Sequence, residues 1–259
     1  MVAAEYDFLL FDLDGTLVDT TPEYRADVLT RVGERMGCSF SEWEVEALWH
    51  GMGDTRERCL RECGLDEAEF WDAFHEVEDP EVRANHTFLY DDAASVGDLD
   101  VPVGIVTHCQ EYLTGPVLDH LDIADWFDTV VCCTDDLGWK PDPTPVRTAM
   151  TNLGVAENGH EGALVGDDPV DIGAAWNAGL DGVHVERVDP EERGMCVWGD
   201  YRIRSVRTLA DGFRDERLNG FSDGDGSELR DDRLAGISDD DLDRFEEERT
   251  PDRRSETDD

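Results

Sequence analysis

The 259-residue chain carries 64 acidic and 22 basic residues and therefore has a formal net charge of −42. So negative a surface disfavours nucleic acid as a partner, because binding to a phosphate backbone depends on basic side chains. No apolar run approaches the 18 residues of a membrane span, and the N-terminus lacks the pattern of a signal peptide, so we expect no membrane partner and a cytoplasmic location. Seven cysteines without zinc-site spacing indicate reduced thiols.

The acidity is spread along the chain rather than confined to one end. Residues 214–259 hold 18 acidic and 8 basic residues, so the other 213 residues still carry a net charge of −32. Such a surface repels itself unless salt screens it, and the Debye length falls to about 3 Å at 1 M salt. We therefore expect a protein adapted to the high-salt cytosol of a halophile.

Lysine is almost absent from the chain. The basic residues are 21 arginines and one lysine, Lys140. Because ammonium and guanidinium groups are not interchangeable, a chain that replaced lysine elsewhere has a reason to keep one where a compact charge is needed. This marks Lys140 as a candidate functional residue, with chance survival as the alternative.

The predicted elements begin with a buried apolar strand over residues 8–11, which is followed by Asp12, Asp14 and Gly15. Residues 20–88 predict several helices separated by glycines and no strand. From about residue 100, strands alternate with helices, which is typical of a doubly wound, Rossmann-like parallel α/β sheet. The later strands are predicted at residues 101–108, 127–136, 162–168, 182–188 and 201–206.

These elements predict three parts of the chain. Residues 1–19 and 89–218 form the α/β core domain, and residues 20–88 form a small α-helical cap domain inserted into it. Residues 219–259 form an acidic, mobile tail, because they are poor in apolar residues.

Polar side chains follow four of the predicted strands. In an open parallel sheet, ligands bind at the carboxyl ends of the strands. Crowded carboxylates with open positions suit Mg²⁺, and a hydroxyl, backbone N–H groups and an ammonium suit a phosphate beside it. Taken singly, each residue has an ordinary interpretation as a turn residue, a strand-end hydroxyl, a loop cation or a helix cap. The set comprises Asp12, Asp14, Thr107, Lys140, Asp167, Asp168 and Asp171.

In this order, the motifs resemble those of the haloacid dehalogenase-like hydrolase superfamily with a helical cap. The family's DxDGT motif matches residues 12–16, and its strand ending in threonine matches GIVTH up to Thr107. Its lysine, often followed by proline, matches Lys140, and its GDxxxD motif matches residues 166–171. The resemblance spans residues 6 to about 213. His108 departs from it, since relatives more often have a small or amide residue there.

The resemblance implies a role for each matched residue. Asp12 is the expected nucleophile and Asp14 the expected general acid and base. Mg²⁺ is expected on Asp12, the backbone carbonyl of Asp14 and Asp167, with Asp171 holding a metal-bound water. The expected phosphate-binding groups are Thr107, Lys140 and the backbone N–H groups near Gly15 and His108. His50 and Arg56, from the predicted inward loop of the cap, are candidate substrate contacts, and an ordinary helix connection is the alternative.

The main hypothesis is a Mg²⁺-dependent phosphatase for a small phosphorylated metabolite, similar to phosphoglycolate phosphatases. Asp14 and Asp167 argue against a dehalogenase, which needs neither an acid nor a metal site. Residues 20–88 contain no lysine, which argues against a phosphonate hydrolase that forms a Schiff base. A sugar-phosphate mutase of the same family and a non-catalytic Mg²⁺-binding or phosphoacceptor protein stay open, as do the natural substrate and the oligomeric state.

Overall fold

The computed structural model describes residues 6–51, 55–156, 159–188 and 196–211. Within them, six parallel strands form one sheet in the order β5-β4-β1-β6-β7-β8, and two short strands form a separate antiparallel ribbon. The strands are β1 (Phe8–Phe11), β2 (Val18–Thr20), β3 (Thr87–Leu89), β4 (Val103–Thr107), β5 (Thr129–Cys132), β6 (Gly162–Gly166), β7 (Asp181–Val185) and β8 (Tyr201–Ile203). The predicted α/β fold class is confirmed.

The first strand lies at the centre of the sheet. Leu10 pairs in register with Gly104 of β4 on one side and with Leu164 of β6 on the other. All residues of β1, β4 and β6 are buried, which explains why these strands are continuous apolar runs rather than alternating ones. The three adjacent strands therefore end together at one edge of the sheet.

Helices follow the strands and cover the sheet. The described helices of the α/β part are α6 (Glu111–His120), α7 (Thr144–Asn152), α8 (Pro169–Ala178) and α9 (Arg207–Asp211). Phe8 and Leu10 pack with Val146 of α7 and Ala174 of α8 on one face of the sheet. The opposite face holds Leu9 and Phe11 in a second cluster that also contains Leu118 of α6 and Leu209 of α9. Helices on both faces are what defines a doubly wound sheet.

Five helices occupy the insertion between β2 and β3. They are α1 (Pro22–Met36), α2 (Glu42–His50), α3 (Thr55–Glu62), α4 (Glu67–Val77) and α5 (Pro80–Asn85). The side chains of Thr21, Ser41, Asp66 and Asp79 accept hydrogen bonds from the first turns of α1, α2, α4 and α5, so local capping sets where these helices begin. The insertion has an apolar core of its own around Val28, Leu48 and Phe70.

The two-stranded ribbon is absent from the sequence-based prediction. Asp19 of β2 pairs with Phe88 of β3, so the ribbon joins the two points where the chain enters and leaves the helical insertion. The expectation of no strand within residues 20–88 is therefore wrong at Thr20, Thr87 and Phe88. Each strand has only three residues and its partner is far away in the sequence, so no local periodicity could reveal the pairing.

The insertion has an exposed tryptophan in its second helix, and two predicted segments lie wholly or partly outside the described residues. Trp43, in the first turn of α2, is 53% exposed. The predicted tail, from residue 219, and part of the inward cap loop, residues 52–54, lie outside the described residues. Among the described helices, none is both long and apolar enough to cross a membrane.

Candidate active site

The site begins where β1, β4 and β6 end. Asp12 directly follows β1, Thr107 is the last residue of β4, and Asp167 directly follows β6. The backbone N–H of Asp12 donates to the carbonyl of Val165 (2.8 Å), which continues the pairing of β1 with β6 by one residue. The topology alone therefore places the predicted residues of three motifs at one edge of the sheet.

Three carboxylates converge there. Asp12, Asp167 and Asp171 each place a carboxylate oxygen within 4.8 Å of the others, and all three residues are buried. The Thr16 hydroxyl lies 3.3 Å from both Asp12 Oδ2 and Asp167 Oδ1 and bridges them. The N-terminus of α8 holds the Asp171 carboxylate in place, because Asp171 Oδ2 accepts the backbone N–H of Asp168 (3.0 Å) in the capping box of this helix.

Glycines make room for this cluster. Gly15 has φ of +78°, and a Cβ there would lie 2.8 Å from Asp167 Oδ1. A Cβ at Gly166 would lie 2.2 Å from Asp171 Oδ2. The backbone N–H of Gly15 donates to the carbonyl of Val18 (2.8 Å), so it is engaged within the turn. The glycine itself contributes space beside Asp167, and phosphate binding by the backbone N–H groups near Gly15 stays a prediction.

Lys140 joins the cluster to β4. Its Nζ lies 2.6 Å from Asp12 Oδ1 and 2.6 Å from Asp171 Oδ1, and it donates to the carbonyl of Val106 (3.0 Å). Burial alone would lower the pKa of Lys140, but the charges of Asp12 and Asp171 raise it above its ordinary value. The single lysine of the chain is therefore a buried, permanent cation at the site.

One ammonium does not balance three carboxylates. Burial raises the pKa of Asp12 well above its ordinary range; Lys140 opposes this rise, and Asp171 and Asp167 add to it. Buried negative charge in excess of its partners is unfavourable unless a further cation compensates it. Clustered carboxylate oxygens are the donors that hard divalent cations prefer, so Asp12, Asp167 and Asp171 fit such an ion.

Thr107 and His108 border the same edge. The Thr107 hydroxyl accepts the backbone N–H of Cys109 (3.0 Å), and His108 Nε2 accepts the backbone N–H of Lys140 (2.9 Å). Burial, together with the charges of Lys140 and Arg56, lowers the pKa of His108 to about 3. His108 is therefore neutral, and its side chain fixes the loop that carries Lys140.

Asp14 occupies a different position from the other acids. Its carboxylate forms an ion pair with Arg83 of α5 and lies outside the three-carboxylate cluster. About a third of the Asp14 side chain is exposed, whereas Arg83 is almost fully buried. This position leaves the Asp14 side chain free of the cluster, as the expected role in proton transfer requires.

The two cap candidates lie in and after α2. His50 Nε2 lies 3.3 Å from Glu46 Oε2, one turn earlier on the same helix. Arg56 donates to the carbonyls of Leu48 (2.9 Å) and Trp49 (3.1 Å), so it ties down the end of α2. The charge of Arg56 also contributes to the lowered pKa of His108, after burial and Lys140. Substrate contact by His50 or Arg56 stays a prediction.

Sequence reasoning assigned no role to three residues that build the site: Thr16, Arg83 and Arg187. Thr16 belongs to the DxDGT motif, which could have drawn attention to it. Arg187 donates to the carbonyl of Thr16 through Nη2 (2.6 Å) and is paired with Asp92, so it anchors the motif from after β7. Nothing local in the sequence distinguishes Arg83 or Arg187 from the other arginines.

Comparison with known proteins agrees with this geometry. The family model for haloacid dehalogenase-like hydrolases matches residues 9–185. The chain belongs to the haloacid dehalogenase-like hydrolase family. The predicted resemblance is thereby confirmed, and the chain is an enzyme of a hydrolase family.

Its relatives include several named phosphatases. It is 31% identical over 177 residues to the pyrophosphatase PpaX of Bacillus velezensis, covering 66% of this chain and 79% of that one. It is 27% identical over 211 residues to a phosphoglycolate phosphatase of Pseudomonas putida, covering 73% and 75%. A haloacid dehalogenase-like hydrolase of Streptococcus pneumoniae has the same fold, with a TM-score of 0.61, 17% identity and coverage of 80% and 99%.

Proposed function

We propose that this enzyme is a Mg²⁺-dependent phosphatase that hydrolyses a small organic phosphomonoester through an aspartyl-phosphate. The observation that carries the proposal is the cluster of three buried carboxylates, two of them paired with one buried ammonium, at the adjoining ends of three parallel strands. A phosphatase needs a nucleophile, a cationic grip on the phosphoryl group and a proton donor for the leaving oxygen. The described residues supply all three functions.

Asp12 is the proposed nucleophile. An oxygen of its carboxylate attacks phosphorus, the bond to the ester oxygen breaks, and Asp14 gives that oxygen a proton. In the second half, water attacks the phosphorus of the aspartyl-phosphate, Asp14 takes the proton, and inorganic phosphate and free Asp12 are released. Splitting one displacement into two makes each step easier.

Lys140 and Thr107 hold the phosphoryl group in this proposal. Lys140 Nζ, 2.6 Å from Asp12 Oδ1, keeps a positive charge beside the attacking carboxylate. The Thr107 hydroxyl, which accepts the N–H of Cys109, can donate its proton to a phosphoryl oxygen. Fixed donors of this kind stabilise the charge that develops on the transferring group.

Mg²⁺ would be held by Asp12, Asp167 and the backbone carbonyl of Asp14, and Asp171 would hold a water bound to the ion. When bound, it supplies charge neutralisation, which lets the substrate anion approach the anionic nucleophile. The family and the donor set support a divalent ion, and the choice of Mg²⁺ rests on the preference of that ion for carboxylate and water ligands.

The substrate is proposed to be a small phosphorylated metabolite. Relatives named phosphoglycolate phosphatase and pyrophosphatase support a compact, strongly anionic substrate. A mutase of the same family would need the same residues, and it differs in requiring a sugar bisphosphate as primer.

The deciding experiment compares wild type with Asp12→Asn in concentrated KCl. We expect Mg²⁺-dependent release of phosphate from p-nitrophenyl phosphate by the wild type, and loss of at least about 10³-fold in kcat for the variant at unchanged melting temperature. Asp125→Asn, at an exposed acid near the start of β4 and so at the opposite end of the sheet, is the matched control. Retained activity in Asp12→Asn refutes the nucleophile. Only slow hydrolysis of p-nitrophenyl phosphate by the wild type, together with interconversion of a sugar phosphate that requires a bisphosphate primer, indicates the mutase.

A further inference from the structure

The Arg83 side chain is buried between the helical insertion and the edge of the sheet that carries the candidate active site. Its guanidinium lies over two aromatic rings of the insertion, 5.7 Å from the ring centre of Tyr24 in α1 and 5.4 Å from that of Trp49 in α2. Its Nη2 forms the ion pair with Asp14, across the junction. The residue is 4% exposed. Contacts with the rings of two helices fix the position of the guanidinium.

Burying this charge is unfavourable unless the Arg83 guanidinium does something specific there. Burial alone would lower the pKa of Arg83, and the charge of Asp14 more than reverses this, so Arg83 is a permanent cation. Its Nε is buried and has no hydrogen-bond partner among the described residues. An unsatisfied buried donor destabilises a fold. Stability alone therefore does not explain this arrangement, and a role at Asp14 does.

The side chain that Arg83 contacts is the one whose direction matters most for proton transfer. Asp14 is partly exposed and stands in a turn, so without a partner its carboxylate could adopt several rotamers. A general acid must lie within hydrogen-bond reach of the leaving oxygen. An ion pair with a guanidinium that two aromatic rings hold in place selects one direction for the Asp14 carboxylate.

We infer that Arg83 is a positioning residue that aims Asp14 at the leaving oxygen of the substrate. This inference rests on the proposed function of Asp14. Arg83 itself gives up no proton: Asp14 Oδ1 accepts the Arg83 Nη2–H in both protonation states of Asp14. The proton that Asp14 took from water in the preceding turnover passes from Oδ2 to the ester oxygen as the phosphorus–oxygen bond breaks. The aromatic rings that contact Arg83, those of Tyr24 and Trp49, belong to the insertion. Arg83 therefore also makes the direction of the Asp14 carboxylate depend on the position of the insertion relative to the sheet.

The test uses substrates that differ in their need for an acid. An alkyl phosphate has a poor leaving group that requires protonation, whereas 2,4-dinitrophenyl phosphate has a leaving group that departs as a stable anion. The measured quantity is kcat/KM, which covers the steps up to formation of the aspartyl-phosphate. A residue that only supports the fold would change both substrates equally.

For Arg83→Met we expect kcat/KM to fall about 100-fold with the alkyl phosphate and less than about threefold with 2,4-dinitrophenyl phosphate, which is the size of effect that a general acid supplies. Arg83→Lys keeps the charge and should recover part of the activity on the alkyl phosphate. Arg35→Met removes an exposed cap arginine that pairs with Glu76, and it should leave both substrates unchanged.

A double-mutant cycle shows whether Arg83 acts through Asp14. In an Asp14→Asn background, Arg83→Met should change kcat/KM for the alkyl phosphate less than about twofold, because the group that it aims is gone. An equal loss on both substrates, or a full additional loss in the Asp14→Asn background, overturns the inference. Should Arg83→Met not fold, Arg83→Lys decides by the same ratio of substrates.

Failure of the inference is distinct from failure of the proposed function. If the wild type hydrolyses both substrates and Asp12→Asn does not, the phosphatase stands, and only the ratio for the Arg83 variants is in question. If Asp12→Asn keeps full activity, the nucleophile is wrong and the role of Arg83 falls with it.

Discussion

Lys140 links two of the three clustered carboxylates through one side chain. Its ammonium contacts Asp12 and Asp171 at 2.6 Å each and a backbone carbonyl of β4, so three oxygens surround one compact charge. A guanidinium is planar and wider and offers its donors in a fixed fork. The geometry therefore explains why a chain with 21 arginines retains a lysine at this position.

Lys140→Arg should reduce activity strongly although it conserves the charge. The larger guanidinium cannot fit between the buried carboxylates of Asp12 and Asp171 without displacing one of them. Both carboxylates belong to the proposed metal site. We expect kcat to fall at least about 100-fold, as for loss of a fixed donor at a transferring group. The measurement is steady-state turnover at saturating Mg²⁺.

The reverse exchange at a surface site is the matched control for this variant. Arg31→Lys changes an exposed arginine whose one ion pair among the described residues is with Asp27, 3.9 Å away, one turn earlier on α1. It should leave turnover unchanged. If Lys140→Arg is as active as Arg31→Lys, the survival of the single lysine is accidental and the electrostatic argument fails.

At the scale of single residues, most of the cluster could be predicted, but its connections could not. Asp12, Thr107, Lys140 and Asp167 follow strands or lie in motif loops, so the order of strands and motifs is enough to bring them together. Arg83 is 69 residues from Asp14 in the sequence. Only the tertiary packing of the insertion creates the contacts that bring the two side chains together. Contacts of this kind leave no pattern in the sequence.

At the scale of elements, the junction of α4 and α5 holds an unfavourably placed acid. Glu78 ends α4, where the partial negative charge of a helix C-terminus opposes a carboxylate. Burial raises the pKa of Glu78 to about 7, while Arg83 and the hydrogen bond from the Tyr24 hydroxyl (3.1 Å) oppose the rise. The folded state thus holds this proton more tightly than the unfolded chain does.

Stability should therefore depend on pH through Glu78. A carboxyl group whose pKa is higher in the folded state favours folding below its unfolded pKa of about 4.5 and loses that contribution as pH rises towards 7. Glu78→Gln removes the titration, so relative to the variant the wild type should lose roughly 1–3 kcal/mol of unfolding free energy between pH 4.5 and pH 7.5. Urea unfolding at constant KCl measures this difference.

An acid on the same helix provides the control for the pH experiment. Glu76 is exposed and pairs with Arg35, so Glu76→Gln should change the unfolding free energy by a similar small amount at both pH values. A pH-dependent difference for Glu76→Gln, or none for Glu78→Gln, would contradict the assignment of the titration to Glu78.

The elements also show why prediction of the fold was uneven. Buried parallel strands such as β4 and β6 are apolar runs that end at turn residues, and helices with capping residues such as Ser41 announce their first turns. The β2–β3 ribbon depends on pairing between Val18–Thr20 and Thr87–Leu89, which follows from the closure of the insertion rather than from either segment alone.

At the scale of the whole molecule, charge sets the conditions in which the fold is stable. The net charge of −42 on 259 residues means that folding brings many carboxylates closer together than in the unfolded chain. Self-repulsion of this kind destabilises the compact state, and salt reduces it. The Debye length is about 10 Å at 0.1 M salt and about 3 Å at 1 M, so neighbouring surface charges interact strongly only in dilute salt.

Dilution from 3 M to 0.1 M KCl should lower the melting temperature markedly. For a protein of this size, each kcal/mol of lost stability lowers the melting temperature by about 2–4 °C, so a loss of several kcal/mol is measurable by circular dichroism. A titration with NaClO₄ beside KCl separates screening, which depends on ionic strength, from salt effects on apolar burial, which depend on the ion. A melting temperature that does not change with KCl would contradict the halophilic interpretation, because repulsion between these carboxylates would then be too weak to shape the stability of the fold.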